Sequence, residues 1–119
     1  MTGGRTAYLA GVAAEDIVER YYRSHGYTTL SQRYRGKRGE IDLIVGEGTA
    51  VVFVEVKKSK THDRAATRVS RAQQLRIMTT AAEYLTSLPN GQLTESRFDV
   101  ALVDQFGGLK ILENAIGHD

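Results

Sequence analysis

The chain has 119 residues, 41% hydrophobic and 25% charged, with a net charge of +2, which is ordinary usage for one folded domain spanning 1–119. It contains no cysteine, which excludes a disulfide framework, a thiolate zinc site and a cysteine nucleophile, and fits a cytoplasmic home. His25, His62 and His118 stand far apart, against a histidine-rich zinc site, and no apolar run approaches the roughly 20 residues of a membrane span.

Taken in chain order, Ala10, Ala14, Ile17 and Tyr21 recur at helical steps and predict a helix from about Arg5 to His25, stopped by Gly26. The Arg5 and Ala7–Ala14 stretch has the outline of a short signal peptide, but Glu15 and Asp16 follow at once and the helical period continues. Tyr27–Tyr34 reads as a strand entering a basic loop, Arg35–Gly39. Ile41–Val45 and Ala50–Lys57 read as a β-hairpin around Gly46-Glu47-Gly48-Thr49. The second of these strands is almost continuously apolar, as in the centre of a sheet. Ser59–Thr67 has no period and reads as a loop. Arg68–Leu88 reads as a second helix with Leu75, Met78, Ala82 and Leu85 on its buried face, ended by Pro89-Asn90-Gly91. Arg97–Val103 and Leu109–Ile116 are the last strands. The order α-β-β-β-α-β-β predicts an α/β fold, one mixed central sheet flanked by helices.

Three charged residues interrupt this apolar pattern. Glu55 and Lys57 are two apart and share one face of their strand, at the end of a run that otherwise reads as core. A carboxylate and an ammonium there are costly unless paired or put to use. A structural ion pair is one reading. Asp42 interrupts a second apolar strand, and the hairpin would bring it across from Glu55. Two facing carboxylates repel unless a cation lies between them, and Mg²⁺ prefers such oxygen ligands while keeping several waters. In that reading Lys57 holds a water beside the metal and the site hydrolyses phosphodiesters. Arg33, Arg35, Lys37 and Arg38, with Lys57, Lys58 and Lys60, form two basic clusters suited to a phosphate backbone, or to a merely solvated surface. Glu15 and Glu19 on the first helix are not separable on physical grounds. Glu40 is expected to support the loop or pair with Arg38 or Lys37, a place near the metal being the alternative, and Asp99 to pair with a basic neighbour. Tyr21, Tyr22, Tyr27 and Tyr34 read as core or rim aromatics, with base stacking the alternative.

Gly39-Glu40-Ile41-Asp42-Leu43-Ile44, followed by Val52-Phe53-Val54-Glu55-Val56-Lys57, resembles the YraN family of bacterial endonuclease-like proteins. That family is similar to Holliday junction resolvases and belongs to the PD-(D/E)XK, or restriction-endonuclease-like, superfamily. Ala14-Glu15, Gly26-Tyr27 and Arg97-Phe98-Asp99-Val100 extend the likeness over most of the chain. The resemblance implies metal ligation by Asp42, Glu55 and the backbone carbonyl of Val56, with Lys57 catalytic. It implies Glu15, rather than Glu19, as the helical acid, and Gln73, with Gln74 the alternative, as the glutamine of the second helix. It further implies Mg²⁺ or Mn²⁺ as cofactor, branched or junction DNA as substrate, and a two-fold homodimer. Ile41 stands where the superfamily has its nominal Pro, and Ala72 where the family has a Lys before the Gln. A retired nuclease fold that binds nucleic acid or protein without cutting is the competing function.

Overall fold

The computed structural model describes the backbone of residues 3–58 and 69–116, and side chains within them from residue 13 onward. The chain runs α1 (Gly3–Ser24), β1 (Thr28–Arg35), β2 (Glu40–Glu47), β3 (Ala50–Lys58), α2 (Arg71–Leu85), a 3-10 turn (Gly91–Leu93), β4 (Ser96–Val103) and β5 (Leu109–Leu112). The predicted loop at Ser59–Thr67 lies outside the described residues.

The strands form one five-stranded sheet in chain order, β1-β2-β3-β4-β5. Neighbours are antiparallel except β3 and β4, which are parallel. A parallel pair needs a long crossover, and α2 supplies it.

Side chains alternate along a strand, and β3 shows where the two helices sit. Val52 and Val54 join Ala14, Val18 and Tyr22 of α1 in one cluster, while Val51 and Phe53 join Ala81 and Leu85 of α2 in another. The sheet is therefore covered on both faces, which is why Val51–Val54 read as an unbroken apolar run. Each such fully buried side chain contributes about 1.5–3 kcal/mol. A third cluster, Ile77, Val100, Leu102 and Ile116, closes the α2 side toward the C-terminus.

Several details differ from the sequence reading. β2 runs on to Glu47, so the hairpin turn is Gly48-Thr49 and not Gly46–Thr49, and α2 is the shorter Arg71–Leu85. On α2 the buried residues are Ile77, Thr80, Ala81 and Leu85, whereas Leu75 and Met78 are exposed. On α1 the fully buried stripe is Ala14, Val18 and Tyr22, with Ile17 and Tyr21 at its margin. β5 ends at Leu112. There Asp99 accepts the Asn114 N–H at 3.0 Å and Asn114 takes φ 53°, so the chain turns and delivers Ile116 to the core.

Candidate metal centre where β2 and β3 part

The β2–β3 ladder ends at the pair Leu43↔Val54. Continued by one step it would set Asp42 opposite Glu55, and by two, Ile41 opposite Val56. Instead Asp42 Oδ2 accepts the Val56 N–H at 2.8 Å, taking the amide that the Ile41 carbonyl would otherwise have bonded. The side-chain packing slips at the same place. Leu43 belongs to the α1-side cluster but Ile41 to the α2-side cluster, although residues two apart in a regular strand share a face. The strands part at Asp42, and the gap is lined by acids. β3 itself continues, held on its other side by β4 through Glu55↔Val100, Val56↔Ala101 and Lys57↔Leu102.

Glu55 feels both of the charges predicted to surround it. Its side chain is 16% exposed, and Lys57 Nζ lies 3.5 Å from its Oε2. Burial first, then the negative charge and hydrogen bond of Asp42, push its carboxyl up to about 7, against the smaller opposing pull of Lys57. A carboxylic acid that hard to ionise is where a cation would be stabilising. Along an extended strand one residue's N–H and C=O face the same edge, and the Val56 N–H faces Asp42. Two carboxylates and a main-chain carbonyl on one edge suit a hard divalent ion that keeps several waters. Among the described residues no three His, Asp or Glu side chains stand together, so such an ion would rely on this smaller donor set.

Glu15, on α1, lies at this same end of the sheet but its Oε1 is 3.0 Å from Arg33 Nε. Arg33 takes φ 54°, a left-handed kink within β1 that is uncommon for a residue with a side chain. Glu19, one turn on, accepts the Thr29 hydroxyl at 2.8 Å. Gln73 and Gln74 serve the start of α2. The Gln73 amide oxygen accepts the Ser70 N–H at 3.2 Å while Ser70 Oγ accepts the Gln73 N–H at 3.1 Å, a capping box. Gln74 Nε2 donates to the Val69 carbonyl at 2.9 Å.

The basic hairpin between β1 and β2 stands beside the gap, docked on α2. Both Glu83 carboxylate oxygens accept the Lys37 N–H, at 2.8 and 3.1 Å. A Cβ on Gly39 would sit 2.8 Å from Oγ1 of the buried Thr80, so glycine permits this approach, and one on Gly36 would meet the end of the Glu83 side chain at 2.7 Å. Arg35 pairs with Glu40 at 3.1 Å, whereas Arg38 or Lys37 is the partner expected from sequence. Lys37, Arg38 and Lys58 are exposed; Lys60 lies outside the described residues. Sequence reasoning missed Arg76, an exposed residue of α2 beneath Gly39, because helical spacing gives no hint of which loop a helix supports.

A model of the family described as "Uncharacterised protein family UPF0102" matches residues 14–103, a span that includes Glu15, Asp42, Glu55, Lys57 and both basic clusters. The chain belongs to the UPF0102 family. Similar UPF0102 proteins include one from Roseobacter denitrificans, 55% identical over 95% of this chain and 88% of its own length. One from Cereibacter sphaeroides is 54% identical over 94% and 96%, and one from Ruegeria pomeroyi 52% identical over 97% and 94%. This UPF0102 chain thus matches its relatives nearly end to end. No helix among its described residues is long and apolar enough to cross a membrane.

Buried at the middle of the sheet, Asp99 is the other charged centre. It is fully buried, accepts from Tyr22 Oη at 2.7 Å and pairs with Arg97 Nε at 3.0 Å. The bond to Asp99 holds the Arg97 guanidinium in its charged form. Burial, and then Asp99, push the Tyr22 phenol up. No buried side-chain polar atom among the described residues lacks a partner, and this network ties α1 to β4 with Asp99 paired to a basic neighbour, as expected.

Proposed function

We propose that this UPF0102 protein is a metal-dependent endodeoxyribonuclease of the restriction-endonuclease-like kind, acting on branched or junction DNA in the cytoplasm as a two-fold homodimer. The observation that carries the reading is the Asp42–Glu55 carboxylate pair in the gap between β2 and β3, with Glu55 pushed up to about 7 and Lys57 3.5 Å away. The likeness of the Asp42 and Glu55-Val56-Lys57 block to YraN-type nucleases supports it.

In this reading Asp42, Glu55 and the Val56 carbonyl hold Mg²⁺ or Mn²⁺. Bound there, the ion would polarise a phosphoryl oxygen and acidify water. Lys57 Nζ is close enough to orient the attacking water and to balance charge growing on the phosphate. Glu15 adds negative charge from α1 once Arg33 turns to a phosphate, and Gln73 hydrogen-bonds at the near end of α2. Arg33, Arg35, Lys37, Arg38, Lys58 and Lys60 hold the backbone on either side.

A second reading, a binding module without catalysis, draws support from the internal pairing of Glu15 with Arg33 and of Glu55 with Lys57, which uses up charge that catalysis would need. One experiment separates the two. Labelled duplex, single-stranded, flapped and four-way-junction DNA are incubated with the protein in Mg²⁺, Mn²⁺ or EDTA, beside Asp42→Ala and Lys57→Ala. Metal-dependent cutting, reduced at least about 100-fold in both variants, is expected. Tight binding without cutting under any metal would replace the nuclease with the binding module.

A further inference from the structure

The turn joining β4 to β5 carries an aromatic ring that the fold leaves almost wholly in water: Phe106 is 86% exposed. The backbone under it is built to hold it there. Asp104 Oδ1 accepts the Phe106 N–H at 2.8 Å and the Gly108 N–H at 2.7 Å. The Asp104 N–H donates to the Gly108 carbonyl at 2.9 Å, and the Gly107 N–H to the Asp104 carbonyl at 3.1 Å. Gly107 has φ 84°, and a Cβ on Gly108 would come within 2.5 Å of Asp104 Oδ2, so neither glycine is replaceable without strain. A turn tied by four hydrogen bonds presents a ring at low entropic cost.

Its place in the fold gives the ring a use. β3 and β4 are parallel, and Lys58 pairs with Val103, so the turn begins one residue beyond the strand ends that carry Glu55, Lys57 and Lys58. Neighbouring strands lie about 4.8 Å apart, which puts β4 about 10 Å from the strand of Asp42. Across this end of the sheet the order is therefore basic hairpin, carboxylate pair, lysines, aromatic ring. A nucleic-acid strand whose phosphates follow the cations past the carboxylates would bring its bases to the ring a few nucleotides away. Every base has a π-face, so an exposed ring stacks on bases without reading sequence, provided they are unpaired.

We propose that Phe106 is a base-stacking residue that makes this site prefer nucleic acid with unpaired bases beside the bound phosphates over continuous duplex. The inference rests on the nuclease reading above for its ligand class, but it is tested by binding and not by cutting. The probes are a flapped DNA carrying 2-aminopurine in the single-stranded arm and a blunt duplex of equal length, both in Ca²⁺. Affinity is read by anisotropy and stacking by quenching of the 2-aminopurine. Phe106→Ala should weaken flap binding about tenfold and abolish the quench, leave duplex affinity unchanged, and melt with the wild type; Phe106→Tyr should behave as wild type. Equal loss on both DNAs, or no loss on the flap, overturns the proposal. So does a change in sedimentation of the protein alone, which would make Phe106 a protein contact. Wild-type protein that binds neither DNA fails both readings, whereas wild-type binding indifferent to Phe106→Ala fails this one alone.

Discussion

Glu55 sits between a carboxylate and an ammonium, and the carboxylate together with burial prevails: its pKa lies near 7, well above the ordinary glutamate value of about 4.3. The folded protein therefore binds a proton there that the unfolded chain has already released at pH 5–7, and stability must fall as pH rises through that window. With metal chelated, unfolding free energy should drop by on the order of 2 kcal/mol between pH 5 and pH 8. Glu55→Gln, which cannot ionise, should flatten that part of the curve and be the more stable protein at pH 8; urea titrations at both pH values measure it. An unchanged slope in Glu55→Gln would mean that the acid does not carry the proton. The same proton competes with a cation, so thermal stabilisation by Mn²⁺ in wild type should grow from pH 6 to pH 8 and be absent in Asp42→Ala. Asp99 is a contrasting acid, fully buried and fully bonded. Tyr22→Phe removes one donor of several and should cost about 1.5–3 kcal/mol, read as a lower Tm with the DNA-binding affinity of the folded protein unchanged.

Elements carry information that a linear sequence hides in two places, both at the hairpin between β1 and β2. Gly36 and Gly39 read only as loop punctuation, yet each marks a close approach to α2. Thr80 is polar and so stands outside the apolar pattern, but its hydroxyl donates to the Arg76 carbonyl at 2.7 Å, which satisfies the group and lets the residue lie 1% exposed. Of the apolar pattern Leu75, Met78, Ala82 and Leu85, the first two point to solvent, Ala82 is half-buried and Leu85 is in the core. Gly39→Ala should cost about 1–3 kcal/mol by overpacking against Thr80 Oγ1. Thr80→Ala in the same chain should recover part of that loss, a coupling that a double-mutant cycle detects; strict additivity would place the strain elsewhere. By contrast the β3 strand was legible in full, because burial on both faces demands the uninterrupted run Val51–Val54. That a hairpin joins the strands of Asp42 and Glu55 was legible, but its register was not: β2 runs on to Glu47, and the turn is Gly48-Thr49 where the sequence suggested Gly46–Thr49. That Asp42 would bond the Val56 amide and halt the ladder was not legible. A carboxylate's choice between solvent and a backbone donor depends on where two strands diverge, and no periodicity records that.

For the whole molecule, a net charge of +2 is too small to draw DNA by long-range attraction, so any affinity must come from how the cations are arranged. Among the exposed cations of the described residues, Lys37, Arg38, Lys58 and Arg76 lie nearest the candidate site. None of the four has a carboxylate partner among the described residues. They are set around one end of the sheet, the end at which β2 and β3 part. Arg35 and Arg33 are held by Glu40 and Glu15, exposed pairs worth at most about 1 kcal/mol each and so readily exchanged for a phosphate. Four cations on phosphates would give log K a slope of about −4 against log salt, and recruitment of both arginines about −5. Measured by anisotropy on a junction DNA in Ca²⁺, the slope should flatten by about one unit in Arg38→Ala and again in Arg76→Ala. Neither change should alter the preference between flap and duplex, because phosphate contacts position a strand without selecting it. A salt slope near zero, or one indifferent to both substitutions, would mean that these cations are a solvated surface and that the gap beside them serves a ligand other than nucleic acid.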